Sequence, residues 1–169
     1  NNFLSGDIPE SMGDLSSLTH LAMGVNRLSG SIPHQISALT RLGYLSLAWN
    51  NLTGAIPIEV GSLLHLNELS LHGNNLNGSI PATLSKLTNL NVLKLHANNL
   101  VGVLPDFTAL ANLEHLTLGE NFRPCAEDGS AKPRDPMRPF VHIQMRADAV
   151  PGSVIIVPPL FPQRQSGQN

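Results

Sequence analysis

Cysteine, aromatic residues and charged residues are scarce in this chain of 169 residues. It has one Cys, one Trp and one Tyr, its aromatic content is 4%, and 13% of its residues are charged. A single Cys excludes an internal disulfide framework and a zinc site built from Cys ligands. Ten Lys and Arg are set against twelve Asp and Glu, so there is no positive excess and nucleic acid is not expected as a partner.

Long hydrophobic runs and catalytic motifs are also missing. No apolar run approaches the roughly 20 residues of a membrane-spanning helix, so membrane association is expected only through segments absent from this sequence. Because the sequence begins without an initiator Met or a signal-peptide pattern, we expect a mature or shortened piece of a longer protein. A nucleophile elbow, a CxxC, an HExxH and a phosphate-binding loop are absent as well. We therefore expect neither an enzyme nor a bound cofactor or metal ion.

Leucine is distributed unevenly and divides the chain in two. Of 28 Leu residues 27 precede residue 126, whereas the last 44 residues contain seven of the 13 Pro and only Leu160. We place the boundary at Cys125, so that residues 1–125 form one domain and residues 126–169 form a C-terminal linker. In the linker, the β-prone runs FVHIQMRA and SVIIVPP predict a short hairpin or two edge strands that dock on the first domain. The alternative is a stalk that becomes ordered only in an assembly.

The first domain is an internal repeat with a period of 24 residues. A GxIP-like tetrapeptide recurs at this interval, beginning at Gly6, Gly30, Gly54, Gly78 and Gly102. An Asn recurs at the same interval at Asn26, Asn50, Asn74 and Asn98, and Asn121 follows one residue early. Between these marks the frame is LxxLxLxxNxLxGxIPxxLxxLxx. Such a repeat predicts stacked units, each of which buries its apolar edges against its neighbours.

This frame resembles the plant-type, 24-residue class of leucine-rich repeat, of which the GxIP turn is the class-specific part. The resemblance covers about three quarters of the chain. It implies an α/β repeat solenoid, a right-handed superhelix of about five repeats with one parallel β-sheet on the concave face and 3₁₀ or short helical turns on the convex face. It also implies an extracellular or cell-surface location and a role in recognition, as in a receptor ectodomain or a polygalacturonase inhibitor.

Each position of the frame has a physical role. The LxL pairs, such as Leu69 and Leu71, alternate with polar residues and predict a strand with one buried face. The Asn side chain is expected to bond backbone groups that the turn leaves unpaired, and the three-residue spacing after Pro is compatible with short 3₁₀ or helical turns. Since the array opens within a coil and its N-terminal cap is expected to be missing, we expect Phe3, Leu4 and Ile8 to lack a covering neighbour.

Four positions in each coil are expected to point outward from the sheet and to carry the function. They are the residue before the first Leu of LxL, the residue between the two Leu, and the two residues before Asn. Aromatic and ionisable side chains there predict a ligand-binding surface made of Tyr44, Trp49, Glu68, His72, Lys94, His96, His115 and Glu120. His72 and His96 share a column on adjacent coils, which would place their backbones about 4.8 Å apart. Because imidazole titrates near neutral pH, this pair suggests that binding depends on pH.

These features predict a non-catalytic extracellular module that binds a protein, a peptide or a glycan on its concave face. N-glycosylation motifs at Asn51 and Asn77 fit a secreted chain. A surface-adsorbing solenoid, including an ice-binding one, is an alternative. It would use the column beside the GxIP turn, made of Ser5, Ser29, Thr53, Asn77 and Val101. A further alternative is a homo-oligomeric building block that associates through the open ends of the solenoid or through Cys125.

Overall fold

Stacked coils build one long parallel sheet. The computed structural model describes residues 2–121 and the backbone of residues 154 and 155. The strands are β1 (Ser5–Asp7), β2 (His20–Ala22), β3 (Arg27–Ser29), β4 (Tyr44–Ser46), β5 (Glu68–Ser70), β6 (Asn77–Ser79), β7 (Val92–Lys94), β8 (Asn99–Val101), β9 (His115–Thr117) and β10 (Val154–Ile155). The main sheet has the order β10-β9-β7-β5-β4-β2 with every pair parallel. The predicted repeat solenoid is confirmed.

The repeat period sets the register of the main sheet. Leu45, Leu69 and Leu93 pair in turn at the 24-residue interval and are fully buried. The next partner, Leu116, follows Leu93 after only 23 residues. The missing residue falls in the segment between β8 and β9, on the side of the coil opposite the main sheet. No helix forms in this segment, and Phe107 is buried there. The sheet therefore stays in register through the shortened coil.

Every helix within residues 2–121 is a short 3₁₀ helix that directly follows the Pro of a GxIP turn. The four helices are Glu10–Asp14, His34–Ala38, Ile58–Ser62 and Ala82–Lys86. Ile36, Leu39 and Leu42 recur every three residues and are all fully buried. This spacing matches the three residues per turn of a 3₁₀ helix, which places such residues one above the other. The predicted 3₁₀ turns on the convex face are confirmed.

A ladder of buried Asn side chains ties each coil to the coil before it. Asn74 Nδ2 donates to the carbonyl oxygens of Leu71 in its own coil and of Leu47 in the preceding coil, at 3.1 and 3.0 Å. Its Oδ1 accepts from the backbone N–H of Leu52 at 3.1 Å. The same pattern is repeated by Asn50, Asn98 and Asn121. The predicted role of Asn is confirmed, and each side chain also bridges two coils.

A second ribbon of short parallel strands runs along the array, and the sequence analysis missed it. This lateral ribbon consists of the pairs β1–β3 and β6–β8 with the bridges Ser31–Thr53 and Ala55–Asn77. The Gly of each GxIP turn lies in this ribbon or next to it, with φ between +69° and +95°, a region that favours Gly. Paired residues are 22 apart here, against 24 in the main sheet. Residues one repeat apart, such as Ser29 and Thr53, are therefore out of step in the lateral ribbon.

The two ends of the array differ in part from expectation. Ile8 is only 5% exposed and joins the core, so the prediction that it lacks a cover is wrong, whereas Phe3 and Leu4 are exposed as expected. At the other end, the backbone of β10 pairs in parallel with β9. The boundary at Cys125 and the rest of the linker lie outside the described residues.

Within the described part, no helix has the length and apolar character to span a membrane.

Candidate ligand-binding surface

The outward positions of the main sheet line up in columns, since pairing places equivalent residues of adjacent coils side by side. All eight predicted residues lie in these columns, in the strands or just after them. The first column holds Tyr44, Glu68 and His115, the second holds Lys94, the third holds His72 and His96, and the fourth holds Trp49 and Glu120. We call this set the concave surface. That it binds a ligand stays a prediction.

Trp49 is exposed and yet held in place. It is 55% exposed, and the ring of His72 meets it edge to face with 5.9 Å between the ring centroids. A Cβ built on Gly73 would lie 2.6 Å from Trp49 Cε3, so the indole lies directly over the Gly73 backbone. An aromatic side chain that is already fixed loses little conformational freedom on binding, which is a property of binding hot spots.

His72 and His96 stack face to face across adjacent coils. Their ring centroids are 4.4 Å apart and their planes are 17° from parallel. His96 Nδ1 is 2.8 Å from the hydroxyl oxygen of Thr117, whereas His72 Nδ1 is buried with no hydrogen-bond partner in the described part. Because imidazole lone pairs lie in the ring plane, stacked rings direct them in parallel and do not converge on one metal ion. Among the described residues, no cluster of three or more His, Cys, Asp or Glu could hold a metal ion.

Burial favours the neutral form of both imidazoles. Burial, assisted by the nearby His96 and Lys94 and opposed by Glu68, lowers the pKa of His72 to about 4. Burial also lowers the pKa of His96, while Glu120 opposes this shift and Lys94 assists it. His72 is therefore uncharged from pH 7.5 down to about pH 5. Its pH response is expected below the range in which an ordinary His titrates.

Glu68 and Lys94 place a charge pair beside the stacked imidazoles. Lys94 Nζ lies 3.4 Å from Glu68 Oε1, and the hydroxyl of Ser70 donates to the same oxygen at 2.8 Å. The Lys94 and Glu68 side chains are 37% and 26% exposed. A partly exposed ion pair of this kind contributes only about 0 to 1 kcal/mol to stability. Its consequence is geometric, because one ligand would meet aromatic rings and both signs of charge within three adjacent coils.

The remaining predicted residues lie around this cluster. Tyr44 stacks on His20, with ring centroids 6.2 Å apart and planes 25° from parallel. His115 and Glu120 are exposed in the last described coil, where neither has a ring contact or an ion pair within residues 2–121. The structure thus links Trp49, His72, His96, Glu68 and Lys94 through ring contacts and an ion pair, and Glu120 lies close enough to His96 to affect its pKa.

Sequence reasoning missed the residues that hold this cluster: Gly73 below the indole, Ser70 on the carboxylate and Thr117 beside the imidazole. A positional signal for Gly73 was available. The fourth column has a left-handed backbone in every coil, with φ between +54° and +56° at its non-glycine members, Val25, Trp49, Ala97 and Glu120. Gly73 follows Trp49 in that column one coil later, and the absence of a side chain at Gly73 leaves room for the indole.

The two glycosylation motifs lie away from the concave surface. Asn51 and Asn77 are both exposed, and Asn77 lies in β6 of the lateral ribbon. The backbone N–H of Asn51 donates to the carbonyl oxygen of Leu28 in β3, so this residue also lies along that ribbon. Glycans at these positions would leave the concave surface open.

Comparison with known proteins decides the family. The family model described as Leucine Rich Repeat matches residues 41–63 and 65–87, and solved ectodomains of plant receptor kinases share the fold of this chain. The chain is a plant-type leucine-rich-repeat protein. No curated protein matches its sequence significantly.

Three solved structures illustrate the similarity. The ectodomain of the Arabidopsis receptor kinase HAESA, in complex with an extended IDA peptide hormone, is 34% identical with a TM-score of 0.69, over 72% of this chain and 21% of that chain. The BIR3–SERK2 complex from Arabidopsis thaliana gives 41% identity and a TM-score of 0.64, over 75% and 66%. A plant ice-binding protein gives 38% and 0.64, over 70% and 39%.

This leucine-rich-repeat chain spans only 14% to 21% of the length of the first receptor ectodomains that it matches. The similarity therefore covers a few coils of much longer arrays. What those whole receptors bind is a property of their own coils.

Proposed function

We propose that this chain is an extracellular recognition module that binds a peptide or protein on its concave surface. The observation that carries the proposal is the cluster of Trp49, His72 and His96, in which an exposed indole is held over Gly73 and against a stacked imidazole pair. Solved relatives with the same fold include ectodomains in complex with peptide hormones, which supports this class of ligand. Aromatic anchors with a nearby charge pair suit such a ligand.

A non-catalytic role fits the chemistry of this surface. The pair formed by the Thr117 hydroxyl and His96 Nδ1 superficially resembles a nucleophile and its base. The adjacent backbone N–H groups, those of Leu95 and Ala97, donate to carbonyl oxygens of the next coil. They are therefore not available to stabilise an oxyanion, and the open sheet face does not exclude water.

The binding proposal is tested with a displayed library of random 12-residue peptides panned against the folded chain. We expect the selected peptides to bind Trp49→Ala at least tenfold more weakly than the parent chain, and Lys94→Ala several-fold more weakly. Ile58→Ala is the matched control, because Ile58 is also an exposed apolar side chain, at 63%, but lies in a convex 3₁₀ helix. Peptides that lose affinity for Ile58→Ala and keep it for Trp49→Ala would contradict the proposal.

The extracellular location has a separate test. When the chain is expressed behind a secretion signal in plant cells, we expect Asn51 and Asn77 to carry N-glycans, since both are exposed. Treatment with an endoglycosidase should reduce the mass of the secreted chain, and Asn51→Gln and Asn77→Gln should each remove part of that change. Retention of an unglycosylated chain inside the cell would count against this location.

Ice adsorption is the second candidate, because one solved structure with this fold is a plant ice-binding protein. The predicted column beside the GxIP turn lies along the lateral ribbon, where equivalent residues are displaced by two positions from one coil to the next. Because this displacement is the same in every coil, the column runs obliquely along the ribbon. It changes from Ser and Thr to Asn77 and then to the apolar Val101, so it does not form a complete array of short polar groups. Thermal hysteresis measured on a dilute solution decides between the candidates, and its absence is the outcome we expect.

Self-association through the open ends or through Cys125 stays a prediction. Within the described residues, β2 lies at one end of the main sheet with a single paired neighbour, β4. Sedimentation equilibrium at several concentrations, with and without a reductant, measures such an assembly. A mass that falls when the reductant is added would assign the contact to the thiol.

A further inference from the structure

A groove of about 600 Å³ crosses the coils where the strands of the main sheet begin. Its walls include Arg41, Tyr44, His65, Asn67, Glu68 and Asn91. The groove lies at the amino ends of β2, β4, β5 and β7, whereas Trp49 lies beyond the carboxyl end of β4. We infer that it binds a neutral saccharide a few hexose units long. This inference goes beyond the proposed function and concerns a groove that adjoins the concave surface, with which it shares Tyr44 and Glu68.

Small residues keep the groove open at its centre. Gly43 forms part of the wall between two side chains of the same column, Thr19 and Asn67. A Cβ on Gly43 would make ordinary contacts, 3.5 Å from Asn67 Oδ1 and 3.7 Å from the carbonyl oxygens of His65 and Thr19. Alanine would therefore fit at this position, whereas a large side chain would occupy the groove itself.

Polar groups in the wall retain unused hydrogen-bonding capacity. Among the described residues, the side chains of Arg41, Tyr44 and Asn91 have no hydrogen-bond partner. Asn67 Nδ2 donates to the carbonyl oxygen of Asn89 at 3.1 Å, which leaves Asn67 Oδ1 as an acceptor. Amides, a phenol and a guanidinium offer both donors and acceptors. Saccharide hydroxyls, which donate and accept in turn, are the ligand groups that use such a mixture.

Aromatic side chains also line the groove. The rings of Tyr44 and His20 stack at 6.2 Å and both line it. Aromatic faces pack well against flat apolar surfaces, and the C–H face of a pyranose ring is such a surface. Val92 adds an aliphatic contact at the far end. The aromatic rings and the amides together match the two sides of a hexose, one apolar and one hydroxylated.

Charge disfavours an acidic ligand in this groove. The wall carries one cation, Arg41, and one carboxylate, Glu68, so it has no excess of positive charge to attract an anion. Residues 2–121 contain four Lys and Arg against eight Asp and Glu, and Glu114 continues the column beyond Asn91. A polyanion lying along the coils would therefore be repelled by the surrounding surface.

The backbone disfavours a peptide as occupant of the groove. The N–H groups of Gly43, Asn67 and Asn91 donate to the carbonyl oxygens of the preceding coil. No unpaired strand edge is therefore offered by these residues, and strand addition needs one. The described wall also lacks a deep apolar pocket for a peptide side chain to fill.

Isothermal titration calorimetry with defined hexasaccharides tests the inference. The probes are cellohexaose and fully N-acetylated chitohexaose, which are neutral, and hexagalacturonate, which is acidic. We expect at least one neutral probe to bind the parent chain, and Gly43→Phe and Asn91→Ala each to weaken that binding at least tenfold. Asn75→Ala is the matched control, because Asn75 is also an exposed Asn but lies on the other side of the strands. Trp49→Ala should leave saccharide binding unchanged.

The outcomes separate this inference from the proposed function. Failure of both neutral probes to bind at millimolar concentration would overturn it, as would tighter binding of hexagalacturonate. Unchanged binding by Asn91→Ala, which keeps the backbone intact, would overturn it even where Gly43→Phe fails to fold. Loss of the selected peptides from Gly43→Phe and Asn91→Ala would assign the groove to the peptide instead. Peptide binding that depends on Trp49 alone stands or falls independently of these results.

Discussion

The two faces of the same strands use the sequence in opposite ways. The inward residues Leu45, Leu69 and Leu93 are identical in successive coils and fully buried. The outward residues that precede them change from Tyr44 to Glu68 to Val92. An inward side chain always meets the equivalent residue one coil away, whereas an outward side chain meets solvent or a partner. Stability therefore rests on what repeats, and recognition is left to what does not.

The largest effect is expected from an inward change in the Asn ladder. Asn74→Ala should lower the free energy of unfolding by about 3 kcal/mol, because buried backbone groups in two coils lose their hydrogen-bond partner. Urea denaturation followed by circular dichroism measures it. The neighbouring Asn75→Ala is the control, since Asn75 is exposed and its loss should change stability by less than about 0.5 kcal/mol. Equal effects of the two substitutions would break the comparison.

A second inward change probes the packing of the convex helices. A Cβ on Gly61 would collide with the backbone carbonyl of Thr83 in the next coil, so Gly61→Ala should cost about 2 kcal/mol. Ser85 occupies the same position one coil later, and its hydroxyl bonds only to the carbonyl oxygen of Ala82 in its own coil. Ser85→Ala should therefore cost less than about 1 kcal/mol. Thermal melts of both variants measure the difference, and an unchanged melting temperature for Gly61→Ala would contradict the packing argument.

An outward change should alter the binding surface more than the stability. In Gly73→Ala the new methyl group displaces the Trp49 ring. The fold accepts Ala here, because Ala97 has φ +54° at the equivalent position of the next coil, so we expect a stability cost of about 1 kcal/mol or less. Trp49 is the only Trp in the chain, and its fluorescence spectrum reports the displacement directly.

The reverse substitution controls for the backbone. Ala97→Gly alters the same column without contacting the indole, and it should leave the fluorescence and the affinity for the selected peptides unchanged. Gly73→Ala should lower that affinity at least tenfold if a fixed indole is needed. Normal peptide binding by Gly73→Ala would show that the position of the ring is unimportant.

The smallest effect is expected from the stacked imidazoles. The pKa of His72 is about 4 in the folded chain against an ordinary value of 6.5, so the unfolded chain takes up a proton first as the pH falls. The contribution of neutral His72 to the free energy of unfolding is fully present above about pH 6.5 and is lost progressively as the pH falls toward 4. The melting temperature should therefore be lower at pH 5 than at pH 7, and His72→Gln should reduce that difference. An identical pH dependence in His72→Gln would exclude this source.

Much of the fold was predictable because it is written in a repeat. Because Leu45, Leu69 and Leu93 are equally spaced, the coils between them have the same length, and this alone brings the strands into register. The Asn ladder was predictable for the same reason, since one buried amide per coil must find the same backbone partners each time. The outward positions of the concave surface followed from alternation along a strand. The burial of Ile8 was not predicted, because it depends on how the first coil folds over its own end.

Sequence alone determined the period, the parallel sheet, the 3₁₀ turns and the choice of outward residues, because each depends on contacts between equivalent positions. Tertiary structure decided the contacts between positions that are not equivalent. These are the lateral ribbon paired at 22 residues, the Trp49 indole over Gly73, and the groove where the strands begin. It also decided the depressed pKa of His72, since burial of an imidazole depends on which side chains surround it. A periodic pattern fixes which residues lie side by side, but it does not fix how unlike side chains share the space between them.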